Sequence, residues 1–334
     1  MNLPRLLVVG LVFGCCAPAL AQLRPAGEGD GYEDAAPAQT IPFRVGVIIN
    51  AKRGACRDIR AMVAVPIECD EQTVKLVNEE FSPQVGGVEF RDLAGGNARQ
   101  MLVSIPYLKS GEEARAVLTY EVTTRITPPL EDDVTAELSI PRRVPRGLRA
   151  YVGPSPYIES KHPKIKRLAR QIQRDLDESA EAAGEAEPND WTRLETVYDY
   201  VLDTIEYLEG PDTSALTTLA EQSADCHGRS ALFTALARAT GVPARLVWVQ
   251  DHCYPEFYLE RPDGEGVWLP AESAGTRAFG EMPMARTIMQ KGDDFRVPER
   301  PHESLRYASD FLVALPATKG AGKPSVKYIR EEAQ

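Results

Sequence analysis

From Ala114 to Ile126 the chain alternates: Ala114, Ala116, Leu118, Tyr120, Val122 and Ile126 fall on one parity, and Arg115, Thr119, Glu121, Thr123 and Arg125 on the other. Successive side chains of a strand point to opposite faces, so this run predicts a strand with one buried face, in a sheet that covers a core on that side. Shorter strand-like runs at 43–49, 59–67, 74–77 and 101–105 are separated by Gly86-Gly87, Gly95-Gly96 and Ser110-Gly111. Short strands with turn signals between them predict a β-sandwich domain over residues 41–150.

The period changes after a Pro-rich crossing from Pro141 to Pro156. Ile165, Leu168, Ala169, Ile172 and Leu176 share one face of a helix that starts near Pro163, in a helical linker over 151–188 interrupted by Gly184 and Pro188. Trp191, Leu194, Val197, Tyr198, Val201 and Ile205 define a second amphipathic helix, with Asp190 as its cap. A chain of 334 residues exceeds the usual span of one core, so a second globular unit is expected over 189–316. The Gly-, Lys- and Glu-rich residues 317–334 read as a flexible tail.

Residues 1–21 run from Arg5 through the apolar stretch Leu6 to Gly14 and on to Ala19-Leu20-Ala21, the order of a secretory signal peptide cleaved before Gln22. Residues 22–40 hold little to bury and read as a disordered leader. No stretch approaches the roughly 18 to 20 apolar residues of a bilayer span. The expectation is an exported protein, periplasmic or secreted, with no transmembrane anchor after signal cleavage. Gly14-Cys15 leaves lipidation open, with Phe13 arguing against it. A formal charge of −11 repels phosphate backbones and argues against nucleic acid as a partner.

Of six cysteines, Cys15 and Cys16 leave with the signal, while Cys56 and Cys69 flank a strand and either pair or stay free. There is no C-x-x-C pair, no H-E-x-x-H and no Asp-x-Asp-x-Asp-Gly loop, so neither a metal nor a cofactor is expected.

The chemistry concentrates around Cys226. It heads Cys-His-Gly-Arg-Ser-Ala-Leu-Phe-Thr-Ala-Leu-Ala, in which Leu232, Phe233, Leu236 and Ala237 form a buried helical stripe. A thiol at a helix N-terminus meets partial positive charge and free N–H groups, which favour thiolate and can hold an oxyanion. The base must come from His162, His227, His252 or His302. His227 is the next residue on the helix and points about 100° away from Cys226. His252 opens Asp251-His-Cys-Tyr-Pro-Glu-Phe-Tyr-Leu-Glu260, a strand that returns through Pro262-Asp263-Gly264 into Val267-Trp268-Leu269. A turn centred on 262 sets Glu272 opposite His252 on one face, where a carboxylate holds the imidazole in its working tautomer. Cys253 points to the other face as a buried or free thiol. Gln222 is either an oxyanion donor or a solvated loop residue.

Gly-Val-Pro-Ala-Arg at 241–245, after a cysteine-headed helix, resembles the signature of the transglutaminase-like superfamily, over roughly residues 190–275. The resemblance implies an α+β fold: a papain-like transglutaminase core preceded by the N-terminal β-sandwich. It implies Cys226 as nucleophile, His252 as base and Glu272, in Trp268-Leu-Pro-Ala-Glu272, as the acidic member. Glu272 stands where the family has aspartate, and Cys-Tyr follows His252 where Ala-Trp is common. The implied function is a thioester formed with a peptide or protein carboxamide and resolved by an amine or by water. Two other classes remain open: a catalytically silent binding or assembly module, and a zinc protein in which Cys226, His252 and Cys253 converge on one ion.

Overall fold

The computed structural model describes residues 38–332, and the expected signal peptide at 1–21 and most of the expected leader lie outside them. In chain order the first half carries β1 (Ala38–Asn50), β2 (Cys56–Val65), β3 (Gln72–Phe81), β4 (Gly87–Leu93), β5 (Ala98–Leu108), β6 (Glu113–Arg125) and the short helix α1 (Asp132–Glu137). Next come α2 (Pro163–Ala183), α3 (Asp190–Thr204), β7 (Glu206–Tyr207), α4 (Ala215–Glu221), β8 (Ser223–Ala224) and α5 (Cys226–Ala239). The last third is β-rich: β9 (Ala244–Val249), β10 (His252–Glu260), β11 (Gly266–Glu272), β12 (Ala278–Phe279), β13 (Ile288–Lys291), β14 (Phe295–Val297), β15 (Arg300–Leu305), β16 (Phe311–Pro316) and β17 (Ser325–Glu332). The fold is α+β.

A four-stranded antiparallel sheet, in the order β17-β1-β6-β3, faces the β2 and β5 end of a nine-stranded sheet. Between them lies one core of Phe43, Val45, Val47 and Ile49 from β1, Ile59, Ala61 and Val63 from β2, Met101, Val103 and Ile105 from β5, and Leu118 and Val122 from β6. The alternation read over 114–126 thus becomes β6, with Ala114, Ala116, Leu118 and Val122 buried.

The long sheet runs β12-β11-β10-β9-β13-β5-β2-β16, with β4 also on β5, so strands of the sandwich and of the later region form one continuous ladder. Residues 38–332 fall within one compact unit. β13 makes the joint, pairing with β9 along one edge and meeting Ala98 of β5 through Gln290. Buried amides and charges fill this seam. Gln72 accepts the Ile288 N–H at 2.6 Å and donates to the Ile288 carbonyl at 2.8 Å. Lys291 of β13 reaches Glu256 of β10 at 2.9 Å and Glu71 at 2.8 Å. Each group leaves water only because a partner replaces it.

The other end of the long sheet is covered by helices. Ile165, Ala169 and Ile172 of α2 and Leu194, Val197 and Val201 of α3 pack in one core with Leu232, Phe233 and Leu236 of α5 and Leu246, Phe257 and Leu269 of the sheet. Pro163 opens α2, as its fixed φ and missing N–H suit the first turn. The cap of α3 is Asn189, whose side chain accepts the Thr192 N–H, and not Asp190; the Asp190 carboxylate instead takes the Ile140 N–H at 2.7 Å.

One further expectation changes, and one open alternative is decided. Residues 317–334, read as a tail, carry β17, which pairs with β1 from Phe43↔Glu332 to Asn50↔Ser325. Cys56 and Cys69 are both free thiols; Cys56 Sγ turns to the carbonyls of Gly54 and Gly322.

Candidate active site

α5 is buried from His227 to Arg238, so it is the central helix of its layer. Its first turn is fixed from two sides. Asp225 caps it, with Oδ1 accepting the Gly228 N–H at 2.9 Å. Gly228 allows close approach: a Cβ there would fall 2.2 Å from Thr213 Oγ1 and 2.5 Å from Ala224 Cβ. Cys226 is therefore held half-buried at the helix N-terminus.

The strand pair supplies the other groups. β9 and β10 are joined across Gln250-Asp251, with Val249 paired to His252, and Asp251 takes the left-handed region at φ 52° that this tight turn needs. His252 thereby becomes the first residue of β10. In the β10–β11 hairpin Glu256 pairs with Pro270 and Phe257 with Leu269, so the register centres on 263 and not on 262. Continued to its end, this register sets Glu272 opposite Tyr254 and diagonal to His252. Both positions keep the same face, and the added methylene of glutamate suits the longer diagonal.

His252 Nε2 lies 3.0 Å from Oε1 and 3.1 Å from Oε2 of Glu272. Glu272 is 1 % exposed, accepts the Ala274 N–H at 2.9 Å and has Arg286 Nη1 at 3.4 Å. The backbone at this point is anchored by Tyr198, whose hydroxyl donates to the Glu272 carbonyl at 2.5 Å and accepts the Ala278 N–H at 3.0 Å. Ser230 ties α5 to the same place, meeting Ser273 Oγ at 2.7 Å and donating to the Cys253 carbonyl at 3.3 Å.

Cys226, His252 and Cys253 line one cleft of about 610 Å³, together with Tyr157, Trp248 and Arg306. With Nε2 engaged by Glu272, Nδ1 is the nitrogen left for the thiol. A hydrogen bond from the Cys253 thiol is the largest influence on Cys226; burial opposes it, His252 adds to it, and the net effect lowers the Cys226 thiol to about 4. Burial disfavours the charged form of His252, but its hydrogen bonds with Cys226 and Glu272 outweigh this and lift it to about 9. The arrangement therefore favours a thiolate–imidazolium pair.

The role of Cys253 escapes strand parity. As expected it is buried at 1 % exposure, but it lines the same cleft as Cys226, and its thiol raises the acidity of Cys226. Gln222 is exposed, in the left-handed C-cap position of α4. His227 is buried behind Cys226, its ring stacked on Trp248 at 5.5 Å and edge-on to Tyr157 at 5.2 Å. Burial, with help from Arg306, lowers it to about 4 and keeps it neutral. The structure thus brings Cys226, His252 and Glu272 together and sets His227 apart.

A cysteine-headed helix packed on a sheet whose strands carry histidine and a carboxylate is the architecture of the transglutaminase-like cysteine hydrolases and acyltransferases. Residues 176–273 match the family model of the transglutaminase-like superfamily. Across the whole fold it is similar to the crystal structure of a candidate cysteine protease from Cytophaga hutchinsonii, with a TM-score of 0.53 and 16 % identity over 89 % of this chain and 92 % of that one. Two further solved structures are more distant. A candidate protease from Parabacteroides distasonis covers 72 % of this chain and 44 % of its own, at 12 % identity and a TM-score of 0.28. The periplasmic domain of TgpA from Pseudomonas aeruginosa, bound to ethylmercury, covers 72 % and 90 %, at 11 % identity and a TM-score of 0.28. Among curated proteins there is no significant match. Among the described residues, no helix is long and apolar enough to cross a membrane.

Proposed function

We propose that this chain is an exported cysteine enzyme that forms a thioester with a peptide or protein carboxamide, using Cys226 as nucleophile, His252 as acid–base and Glu272 as the group that orients and charges the histidine. The observation that carries this reading is the double contact of Glu272 with His252 Nε2, beside a thiol lining the same cleft. The Cys226 thiolate attacks the carbonyl carbon, and the oxyanion of the tetrahedral intermediate turns toward the N–H groups at the start of α5. The intermediate collapses as the C–N bond breaks, and His252 gives its proton to the departing amine. In the second half-reaction His252 takes a proton from an incoming amine or water, whose nitrogen or oxygen displaces Cys226 from the thioester. Export is the part of the proposal that rests on residues 1–21, and a mature N-terminus at Gln22 would support it.

The test is intact-mass analysis of the protein incubated with peptide carboxamides, with and without a primary amine. An acyl adduct mapped to Cys226 and lost in Cys226→Ser supports the enzyme. Amine incorporation then marks acyl transfer, and its absence with free acid released marks hydrolysis. No adduct and no turnover over a broad peptide set would favour the binding-module alternative.

A further inference from the structure

The cleft holds a second constellation that the proposed chemistry leaves unused. Asp212, in the loop before α4, Asp225, the cap of α5, and His227, its second residue, each offer a donor atom, and these atoms lie within 4.8 Å of one another. Carboxylates cluster on many surfaces without consequence, and Asp212 alone would mean nothing. His227 is the independent sign. It is 1 % exposed, and neither Nδ1 nor Nε2 makes a well-formed hydrogen bond, although the Thr213 backbone lies beside the ring. A buried polar group without a good partner is costly, so its presence needs an explanation, and a ligand supplies one.

Existing contacts leave the cluster incomplete. Asp225 uses Oδ1 on the Gly228 N–H and Asp212 uses Oδ2 on Arg306, and the two carboxylates also face each other. Arg306 and the helix cap account for the carboxylates but supply nothing to the imidazole. Trp248 and Tyr157 hold the ring in place, so it cannot turn to seek another partner.

We propose that Asp212, Asp225 and His227 form a binding site for a zinc-class divalent transition cation, one residue along the helix from Cys226. Zinc takes nitrogen and oxygen donors at about 2.0 to 2.2 Å, so two ligands of one ion stand up to about 4.4 Å apart. The 4.8 Å spread closes onto that with a small side-chain movement. One imidazole and two carboxylates suit zinc or its neighbours, whereas calcium wants six to eight oxygens and gains nothing from His227. A cation there places a double positive charge beside the thiol and ties the start of α5 to the loop before α4.

The experiment is calorimetric titration of the chelator-stripped full chain with zinc sulfate and, separately, calcium chloride. The expected result is one zinc per chain, no comparable calcium binding, and zinc binding weakened on the order of tenfold or more in Asp212→Asn. Asp212 is exposed, so this variant keeps the fold, and circular dichroism verifies it. Cys226→Ser should bind zinc as the natural chain does, and cobalt in place of zinc should give a spectrum without thiolate charge transfer. Absence of zinc binding, or binding that survives Asp212→Asn and disappears in Cys226→Ser, overturns the proposal; the latter result puts the ion on the proposed nucleophile.

Discussion

Both carboxylate oxygens of Glu272 meet a single nitrogen of His252, at 3.0 and 3.1 Å. The contact fixes the plane of the imidazole, commits Nε2 and turns Nδ1 to the thiol. Replacing Glu272 by Gln keeps the shape and removes the charge that favours imidazolium. Turnover in Glu272→Gln should fall on the order of 10²-fold or more, while Glu272→Asp, one methylene short on a diagonal pairing, should lose less. Steady-state kinetics on any substrate found, or the shape of the Cys226 alkylation profile across pH in its absence, check this.

The thiolate–imidazolium pair has a pH signature. Cys226 titrates near 4 and His252 near 9, so the reactive pair exists between those values. Turnover should rise as pH climbs through the lower value and fall as it passes the upper one, the two limits belonging to the coupled pair. The shape of the alkylation profile decides more than its height. At pH 6 the thiolate fraction of Cys226 exceeds that of an ordinary thiol by about 300-fold. Its lower basicity gives back about two decades of nucleophilicity, so absolute rates nearly cancel. Cys226 should alkylate at a nearly constant rate from about pH 5 to 8, and in His252→Ala the rate should instead climb steeply with pH.

Cys253 should act through Cys226. Its thiol is the largest single influence lowering the Cys226 pKa. In Cys253→Ala the alkylation profile of Cys226 should move to higher pH, while Cys253→Ser, which keeps a donor, should hold it closer to the natural position. Mass-spectrometric mapping of alkylated Cys226 across pH distinguishes the two. Equal profiles in all three proteins would assign Cys253 to packing alone.

Gly228 should tolerate no side chain. Its missing Cβ leaves room for Thr213, Thr218 and Ala224, each of which would come within 2.6 Å of an added carbon. Gly228→Ala should cost about 1 to 3 kcal/mol by overpacking, read as a lower midpoint in urea, and should shift the first turn of α5 with its thiol.

Much of the site could be read from residue order because its elements are local. The stripe of α5, the stop at Gly241, where φ is 97°, and the hairpin around Gly264 each depend on neighbours in sequence. What could not be read is long-range. The one-residue offset of the hairpin centre comes from turn geometry, and it converts a direct His252–Glu272 pairing into a diagonal one. The contact of Cys253 with Cys226 depends on where α5 settles on β10. The joint through β13 rests on Gln72, Gln290 and Lys291, polar residues whose burial makes sense only once partners from distant segments surround them. β17 shows Lys327, Arg330 and Glu331 in a Gly-rich setting, and its strand character comes from β1 rather than from apolar content.

That last pairing bears on how the molecule is made. Arg44 on β1 and Glu331 on β17 form an ion pair although 287 residues separate them. As the chain folds, β6 can take one edge of β1 early, and the other edge keeps its backbone donors and acceptors open until residues 325–332 arrive. An unpaired edge is a template for any passing strand, and closure over such a separation is slow. The sandwich therefore keeps an edge open to aggregation until its last strand is in place, and a chaperone that holds the chain until then would protect it.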